Sequence, residues 1–363
     1  MRILLCAGGT GGHLFPAQAL AHELIARGHD VHLVTDERAG RFIEGFPATE
    51  IHRVPSATFG SKRPDRLAAS LWSIWKGFRL SGALIRKLKP AVVVGFGGYP
   101  TVPPMMAAVQ ASRPTVVHEQ NAVMGRANRM LSARATAIAF GIAPVDPKPS
   151  VAAKLTVTGN PVRPAVLEAA ASPYEASGAG EPFRLVVFGG SQGAKFFSDA
   201  LPEAVKRLPD DLVRRLHVTQ QARADEVDAV RAFYAERGIP AEIAPFFSDM
   251  AARIGKAHLV VSRSGAGTVS ELSAIGRPSI LVPYPHALDH DQAANAALLE
   301  KAGGTIVARQ SELSPDRLAS LISGVAQNPD KAAGMAAAAR ATGLPDAARL
   351  LADLVLSMPA AGR

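Results

Sequence analysis

Residues 259–272 read LVVSRSGAGTVSEL, and the way this stretch breaks decides the fold. Leu259–Ser262 has the length and apolar character of a buried strand. A turn carrying Gly265 and Gly267 follows at once, and Val269-Ser270-Glu271-Leu272 then opens a helix. A strand that runs through a glycine turn into a helix is the start of a βαβ unit, and so of a parallel sheet. The amides around Ala266, Gly267 and Thr268 stand at a helix start, where unpaired N–H groups and a positive dipole end suit a diphosphate. Glu271 lies one turn in, placed to accept bonds from ribose hydroxyls. Its position fits an ordinary first-turn glutamate equally well.

The same pattern recurs in both directions. Downstream of Arg184 the strands are expected at Leu185–Phe188, Leu216–Thr219, Ala241–Ala244, Leu259–Ser262, Ser279–Val282 and Thr305–Ala308. Upstream they are expected at Arg2–Cys6, Val31–Thr35, Ala91–Gly95, Thr115–His118 and Ala135–Ala139, with helices near Leu14–Ala26, Arg66–Leu88, Val102–Ala111 and Val123–Ser132. Each half opens with an apolar strand, a glycine-rich turn and a helix. An α/β protein of two Rossmann-like domains facing a cleft follows, with ligands at the carboxyl ends of the strands. The division falls near Gly159–Pro164. Residues 1–163 form the first domain, the last helix (Ala347–Ser357) brings 345–363 back to it, and 164–344 form the second.

The first glycine loop is Gly8-Gly9-Thr10-Gly11-Gly12-His13. Gly9 and Gly11 fit the dinucleotide fingerprint, but Leu14 stands where its third glycine belongs; Asp36 is placed as a ribose-binding acid would be. The second loop, Gly189-Gly190-Ser191-Gln192-Gly193-Ala194, also misses that spacing, and neither loop has the lysine and hydroxyl of an ATP-binding P-loop. Ser191 is placed to meet a phosphate, to cap a helix, or both.

His118-Glu119-Gln120-Asn121 directly follows an apolar strand. Such a polar run at a strand's carboxyl end is expected in an open loop, with Asn121 available to cap a helix at Val123. His13, His118 and Glu119 are candidate proton acceptors, each weighed against a structural role. Asp289-His290-Asp291-Gln292 lacks a partner set for zinc, so sugar hydroxyls are the better use of Asp291, Gln292 and Asn295. Arg163, in Gly159-Asn160-Pro161-Val162-Arg163-Pro164, either reaches a phosphate or ties the domains together.

The chain has 363 residues, 48% of them hydrophobic and 20% charged, enough for two cores. A net charge of +9 calls for an anionic partner. The single cysteine, Cys6, rules out an intrachain disulfide and reads as a buried strand residue. The N-terminal apolar run breaks at Gly8 and is not read as a signal peptide, and no stretch approaches the roughly 18 apolar residues of a membrane span. Both tryptophans fall in one segment with Leu71, Trp72, Ile74, Trp75 and Phe78, amid Lys62, Arg63, Arg66, Lys76, Arg79, Arg86, Lys87 and Lys89. Leu71, Trp75 and Phe78 share a helical face, with Lys76 and Arg79 projecting elsewhere. That composition suits a helix lying in an anionic membrane interface, or a core-facing helix with a basic solvated side. No nucleic-acid motif accompanies the charge, and no nucleic-acid partner is expected.

Taken in order, the loop with His13, Gly97-Gly98-Tyr99, His118 to Asn121, Gly159 to Arg163, Gly189 to Ala194 and Arg263 to Glu271 resemble the MurG family. These are N-acetylglucosaminyltransferases of GT-B fold that form lipid II. The resemblance implies an inverting transfer of N-acetylglucosamine from UDP-N-acetylglucosamine to the 4-hydroxyl of an undecaprenyl-pyrophosphoryl muramyl peptide, with no cofactor or metal required. It implies that Ala266, Gly267, Thr268, Val269, Ser270 and Glu271 bind the UDP moiety, with Ser191 and Arg263 at the phosphates. The backbone of Phe247 would read uracil. Thr10, Gly11, Gly12, Tyr99, Asn121, Arg163 and Gln292 would contact donor sugar or acceptor. Asp291 stands where the family often has a Gln or His. His13 is the first choice of base, His118 or Glu119 the second. The resemblance also implies a peripheral position on the cytoplasmic face of the inner membrane and partners among cell-wall synthesis or division proteins. Three other readings stay open, a UDP-sugar epimerase on the same fold, a non-catalytic nucleotide-binding protein at the membrane, and nicotinamide oxidoreduction.

Overall fold

The computed structural model describes residues 1–56, 64–145, 147–190, 194–287 and 291–359. The chain divides into two compact units, Met1–Arg163 with Pro345–Arg363, and Pro164–Leu344.

The first unit runs β1 (Arg2–Cys6), α1 (Gly11–Ala26), β2 (Asp30–Thr35), β3 (Glu50–Arg53), α2 (Pro64–Leu88), β4 (Val92–Gly95), α3 (Val102–Gln110), β5 (Thr115–Glu119), α4 (Arg126–Ser132), β6 (Ala137–Phe140), α5 (Pro149–Ala152) and β7 (Leu155–Val157). Its seven strands are all parallel in the order β3-β2-β1-β4-β5-β6-β7. The central strands are continuous Val, Ile and Leu runs because helices cover both faces. One face packs Leu5, Val94 and Val116 against Leu14, Leu20 and Leu24 of α1, and the other packs Leu4, Val93 and Val117 against Ile85, Met105 and Leu131.

The second unit runs α6 (Pro164–Ala170), β8 (Phe183–Phe188), α7 (Lys195–Val205), α8 (Asp210–Arg215), β9 (Leu216–Gln221), α9 (Val227–Glu236), β10 (Ala241–Ala244), α10 (Met250–Gly255), β11 (Leu259–Ser262), α11 (Ala266–Ile275), β12 (Ser279–Leu281), α12 (Asp291–Lys301), β13 (Thr305–Val307), α13 (Pro315–Ala326) and α14 (Pro329–Thr342). Its sheet is parallel with order β10-β9-β8-β11-β12-β13. The last helix, α15 (Ala347–Leu356), buries Leu351, Ala352 and Val355 in the core of the first unit, and Arg27 of α1 reaches Asp353 at 2.6 Å.

Strand order reverses between β1 and β4 in one unit and between β8 and β11 in the other. At such a point the two flanking loops diverge and leave an open crevice at the strands' carboxyl ends. The glycine loops read from the sequence stand at these reversals. β3 and β7, edge strands with exposed polar residues, are the two that the apolar pattern missed. The helix expected from Val123 starts at Arg126 behind Gly125, so Asn121 is not its cap. Asn121 instead donates from Nδ2 to Glu119 Oε1 at 3.0 Å.

Candidate functional site

At the reversal in the first unit, Gly8 N–H donates to the Gly97 carbonyl at 3.1 Å and joins the loop after β1 to the loop after β4. The His13 ring sits against this seam. A Cβ built on Gly8, Gly97 or Gly98 would stand 3.1–3.3 Å from a ring atom, so backbone walls the imidazole where a side chain would displace it. Gly97 and Gly98 also take positive φ, 92° and 77°. Gly11 and Gly12 begin α1 behind Thr10, which supplies no side-chain cap, and their amides have no partner among the described residues. Nothing lies within 4 Å of a Cβ at Gly12. The Arg163 guanidinium lies 4.3 Å from the centre of the Phe15 ring, on the first turns of the same helix. Thr10, Gly11, Gly12, His13, Tyr99, Asn121 and Arg163 thus belong to one end of this sheet.

His118 and Glu119, expected in an open loop, lie inside the unit. Both are buried, as is Gln120, because β5 runs on through Glu119 and adjoining loops cover its end. His118 Nε2 meets the Gly159 carbonyl at 3.3 Å and its Nδ1 meets Gln120 Nε2 at 3.0 Å, which uses both ring nitrogens. Burial pulls its pKa down to about 4, against the Gly159 bond. Glu119 accepts from Asn121 N and Nδ2, Gly125 N and Asn128 Nδ2 at 2.8–3.0 Å and holds the β5–α4 loop together. His13 is partly exposed. Burial lowers its pKa from the ordinary value, opposed by Gln120, Glu119 and the Phe96 carbonyl, and its Nδ1 lies 3.2 Å from Gln120 Oε1. It is neutral near pH 7. Asp36 accepts through Oδ2 from Arg38 at 2.6 Å, while its buried Oδ1 packs on Gly9, where a Cβ would lie 2.5 Å away.

At the reversal in the second unit, Gly265 is extended ahead of α11 and offers no side-chain cap. The amides of Ala266, Gly267 and Thr268 have no partner among the described residues. A Cβ at Gly265 or Gly267 would meet nothing within 4 Å, so these glycines serve no packing purpose and leave the helix end open. Thr268 and Glu271 are partly exposed one turn apart. Other expected contact residues have hydrogen bonds within the unit. Val269 is buried with its amide on the Gly265 carbonyl, and the Ser270 hydroxyl donates to the Ala266 carbonyl at 2.8 Å. Arg263 is buried. It donates to the Val282 and Pro283 carbonyls and, at 2.6 Å, to Gln310 Oε1, among the rings of Phe196, Phe197 and Tyr284. It braces the loop after β12 through both terminal nitrogens, and its Nε has no hydrogen-bond partner among the described residues. Gln292 Oε1 accepts from Tyr284 N at 2.9 Å, and buried Asn295 ties α12 to the Ser264 carbonyl at 3.3 Å. The Phe247 ring lies under the Arg253 guanidinium at 4.4 Å, which orders the turn after β10. Ser191, Asp289 and His290 lie outside the described residues.

Residues 3–140 match the model of the glycosyltransferase family 28 N-terminal domain, and residues 184–351 that of its C-terminal domain. The chain belongs to glycosyltransferase family 28. Relatives from Mesorhizobium japonicum and Rhizobium meliloti are 61% and 62% identical over 97% of this chain and 94% of theirs. Both are named UDP-N-acetylglucosamine--N-acetylmuramyl-(pentapeptide) pyrophosphoryl-undecaprenol N-acetylglucosamine transferase. Among solved structures, MurG from Acinetobacter baumannii matches with TM-score 0.78 and 29% identity, over 99% of this chain and 100% of that one. A UDP-GlcNAc 2-epimerase from Neisseria meningitidis matches with TM-score 0.69 at 12% identity, over 99% of this chain and 100% of that one; at that identity only the fold is shared.

In this glycosyltransferase family 28 chain, Gln120 and Asn160 lie in motifs read from the sequence but were given no role, Asn128 and Gln221 lie in none, and all four are buried and hold the loops. Gln221 Oε1 accepts from Gly189 N at 3.1 Å, and Asn160 Nδ2 donates to the Gln120 carbonyl at 3.0 Å. Gln120 stands just past β5, Gln221 ends β9, Asn128 lies within α4 and Asn160 follows β7, so no shared pattern marks them. Among the described residues, one group has metal-ligand chemistry, His32, Glu50 and His52 on β2 and β3. There His32 Nδ1 meets His52 Nε2 at 3.3 Å, the spacing of an N–H···N bond. On α2, Trp72 and Trp75 are 64% and 47% exposed and stack at 4.8 Å, and no helix is long and apolar enough to cross a membrane among the described residues. Phe78, expected beside them, packs instead against the core. Arg79 caps the Trp75 ring at 5.3 Å and does not project away from it. The side chain of Leu71 lies outside those described.

Proposed function

We propose that this chain moves N-acetylglucosamine from UDP-N-acetylglucosamine to the 4-hydroxyl of a lipid-linked N-acetylmuramyl peptide, with inversion at the anomeric carbon. The observation that carries this reading is the near-full-length identity of about three residues in five with relatives named for that transfer. The geometry supports it. The acceptor oxygen attacks the anomeric carbon, its proton passes to His13 Nε2, and UDP leaves with the electron pair of the broken bond. Amides of Ala266, Gly267 and Thr268, with the positive end of α11, meet the charge growing on the diphosphate. Ser191 is assigned to the same phosphates, Glu271 to the ribose, the Phe247 backbone to uracil and Gln292 to the donor sugar. Thr10, Gly11, Gly12, Tyr99, Asn121 and Arg163 are assigned to the acceptor side.

The exposed Trp72–Trp75 pair in a basic helix supports docking on the anionic cytoplasmic face of the inner membrane, beside cell-wall synthesis or division proteins. The test is incubation of the purified chain with UDP-N-acetylglucosamine and a lipid-linked muramyl acceptor. Acceptor-dependent release of UDP with a disaccharide product is expected. Bound donor without turnover would overturn the reading in favour of a scaffold, and donor isomerisation without acceptor would favour an epimerase.

A further inference from the structure

Behind His13 the buried polar groups form one chain of hydrogen bonds, and its direction can be assigned from the far end. His118 Nε2 faces the Gly159 carbonyl at 3.3 Å. A carbonyl oxygen only accepts, so Nε2 bears the proton, and in the neutral ring Nδ1 is an acceptor. Gln120 Nε2 lies 3.0 Å from that Nδ1, 3.0 Å from the Phe96 carbonyl and 3.1 Å from the His118 carbonyl. Turning the amide over would set its oxygen against two carbonyl oxygens and a lone pair. Its orientation is therefore forced, and Oε1 faces His13 Nδ1 at 3.2 Å. The backbone of this relay is itself held, by Asn160 Nδ2 on the Gln120 carbonyl at 3.0 Å and Asn128 Nδ2 on the His118 carbonyl at 3.2 Å.

We propose that Gln120, oriented by His118 and the Gly159 carbonyl, is a positioning residue that presents His13 with its proton on Nδ1 and its lone pair on Nε2. Which ring nitrogen is basic follows from the bond the other one makes. A free imidazole prefers the opposite tautomer, with Nε2 protonated and unable to act as base. When the acceptor hydroxyl gives its proton to Nε2, the sugar–oxygen bond forms and the bond to UDP breaks with its electron pair. His13 is then an imidazolium whose Nδ1–H still points at Gln120 Oε1. The neutral amide steers the ring without holding the proton as a carboxylate would, so His13 is free to shed it for the next cycle. Glu119, at the end of β5, is the charged group acting on this ring. The proposal deepens the reading of His13 as base and rests on it.

The experiment is long-range proton–nitrogen NMR of the full chain with labelled histidine, the His13 signals being assigned by their loss in His13→Ala. In the unsubstituted protein a pyrrole-type Nδ1 and a pyridine-type Nε2 are expected at neutral pH. Gln120→Met should shift His13 toward the Nε2–H form and lower kcat about 10- to 100-fold, less than the roughly 10²- to 10⁴-fold of losing a general base outright, while KM for UDP-N-acetylglucosamine stays within about twofold. His118→Asn, which keeps an acceptor at the Nδ1 position, should retain the Nδ1–H signature. An Nε2–H signal for His13 in the unsubstituted chain overturns the proposal, and that measurement needs no variant to fold. So does Gln120→Met with unchanged tautomer and rate. Normal turnover in His13→Ala, with the Nδ1–H signature intact in the unsubstituted chain, would sink the base assignment alone.

Discussion

His13 and His118 are the same residue type on either side of Gln120, and their surroundings separate them. His13 has one ring nitrogen on Gln120 and a partly exposed ring, whereas His118 is sealed on both sides. His13→Ala should lower turnover by about 10²- to 10⁴-fold and leave UDP binding intact, read by product formation beside calorimetric titration with UDP. Because burial is the largest influence on its pKa and lowers it, the acid limb of kcat/KM should lie below the ordinary histidine value of about 6.5. His118 bears on stability. Its folded pKa of about 4 is below the unfolded value, so the unfolded chain takes up more protons in that window. Its contribution is complete above pH about 6.5 and is lost as pH falls through about 4, at most about 3 kcal/mol. Urea titrations between those pH values should show this loss, and a flat profile would contradict it.

At the scale of elements, glycines in similar loops do opposite jobs. The start of α11 is open, and Gly267→Val would add bulk only where a ligand approaches. KM for the sugar nucleotide should rise about tenfold, about 1.4 kcal/mol, with stability within about 0.5 kcal/mol. Gly9 instead supports Asp36 and the backbone of Arg38 and Ala39, each within 2.7 Å of an added Cβ. Gly9→Ala should therefore cost about 1–3 kcal/mol in a denaturant titration. On α2 the exposed Trp72 and Trp75 support no core. Changing both to Ser should weaken sedimentation with anionic vesicles at least about tenfold, worth about 1.4 kcal/mol, at unchanged Tm; equal binding would remove the pair from the membrane reading.

For the whole molecule, the decisive long-range contact is the return of α15 to the first unit. Leu351 is fully buried against a core built from residues more than 200 positions earlier. Leu351→Ala should cost about 2–5 kcal/mol, measured by chemical denaturation, and the loss should appear in the unit that ends at Arg163. The apolar runs and glycine turns that mark nearly every central strand were legible because parallel strands buried on both faces must be continuously apolar. The edge strands β3 and β7 were not, since exposed residues there carry no such pattern. Motif positions at the strand ends were legible for the same reason: a glycine loop after an apolar run has few other uses.

What the sequence determined by itself was the alternation of strand and helix, the two starting points at which each sheet reverses, and the family motifs those loops carry. Tertiary structure alone decided which polar groups in those motifs stay available. His118, Glu119, Arg263 and Ser270 bond to neighbouring backbone and side chains, while Thr268 and the first amides of α11 have no partner among the described residues. The reason is that a polar side chain has a fixed number of donors and acceptors, and only packing sets how many of them the protein itself consumes.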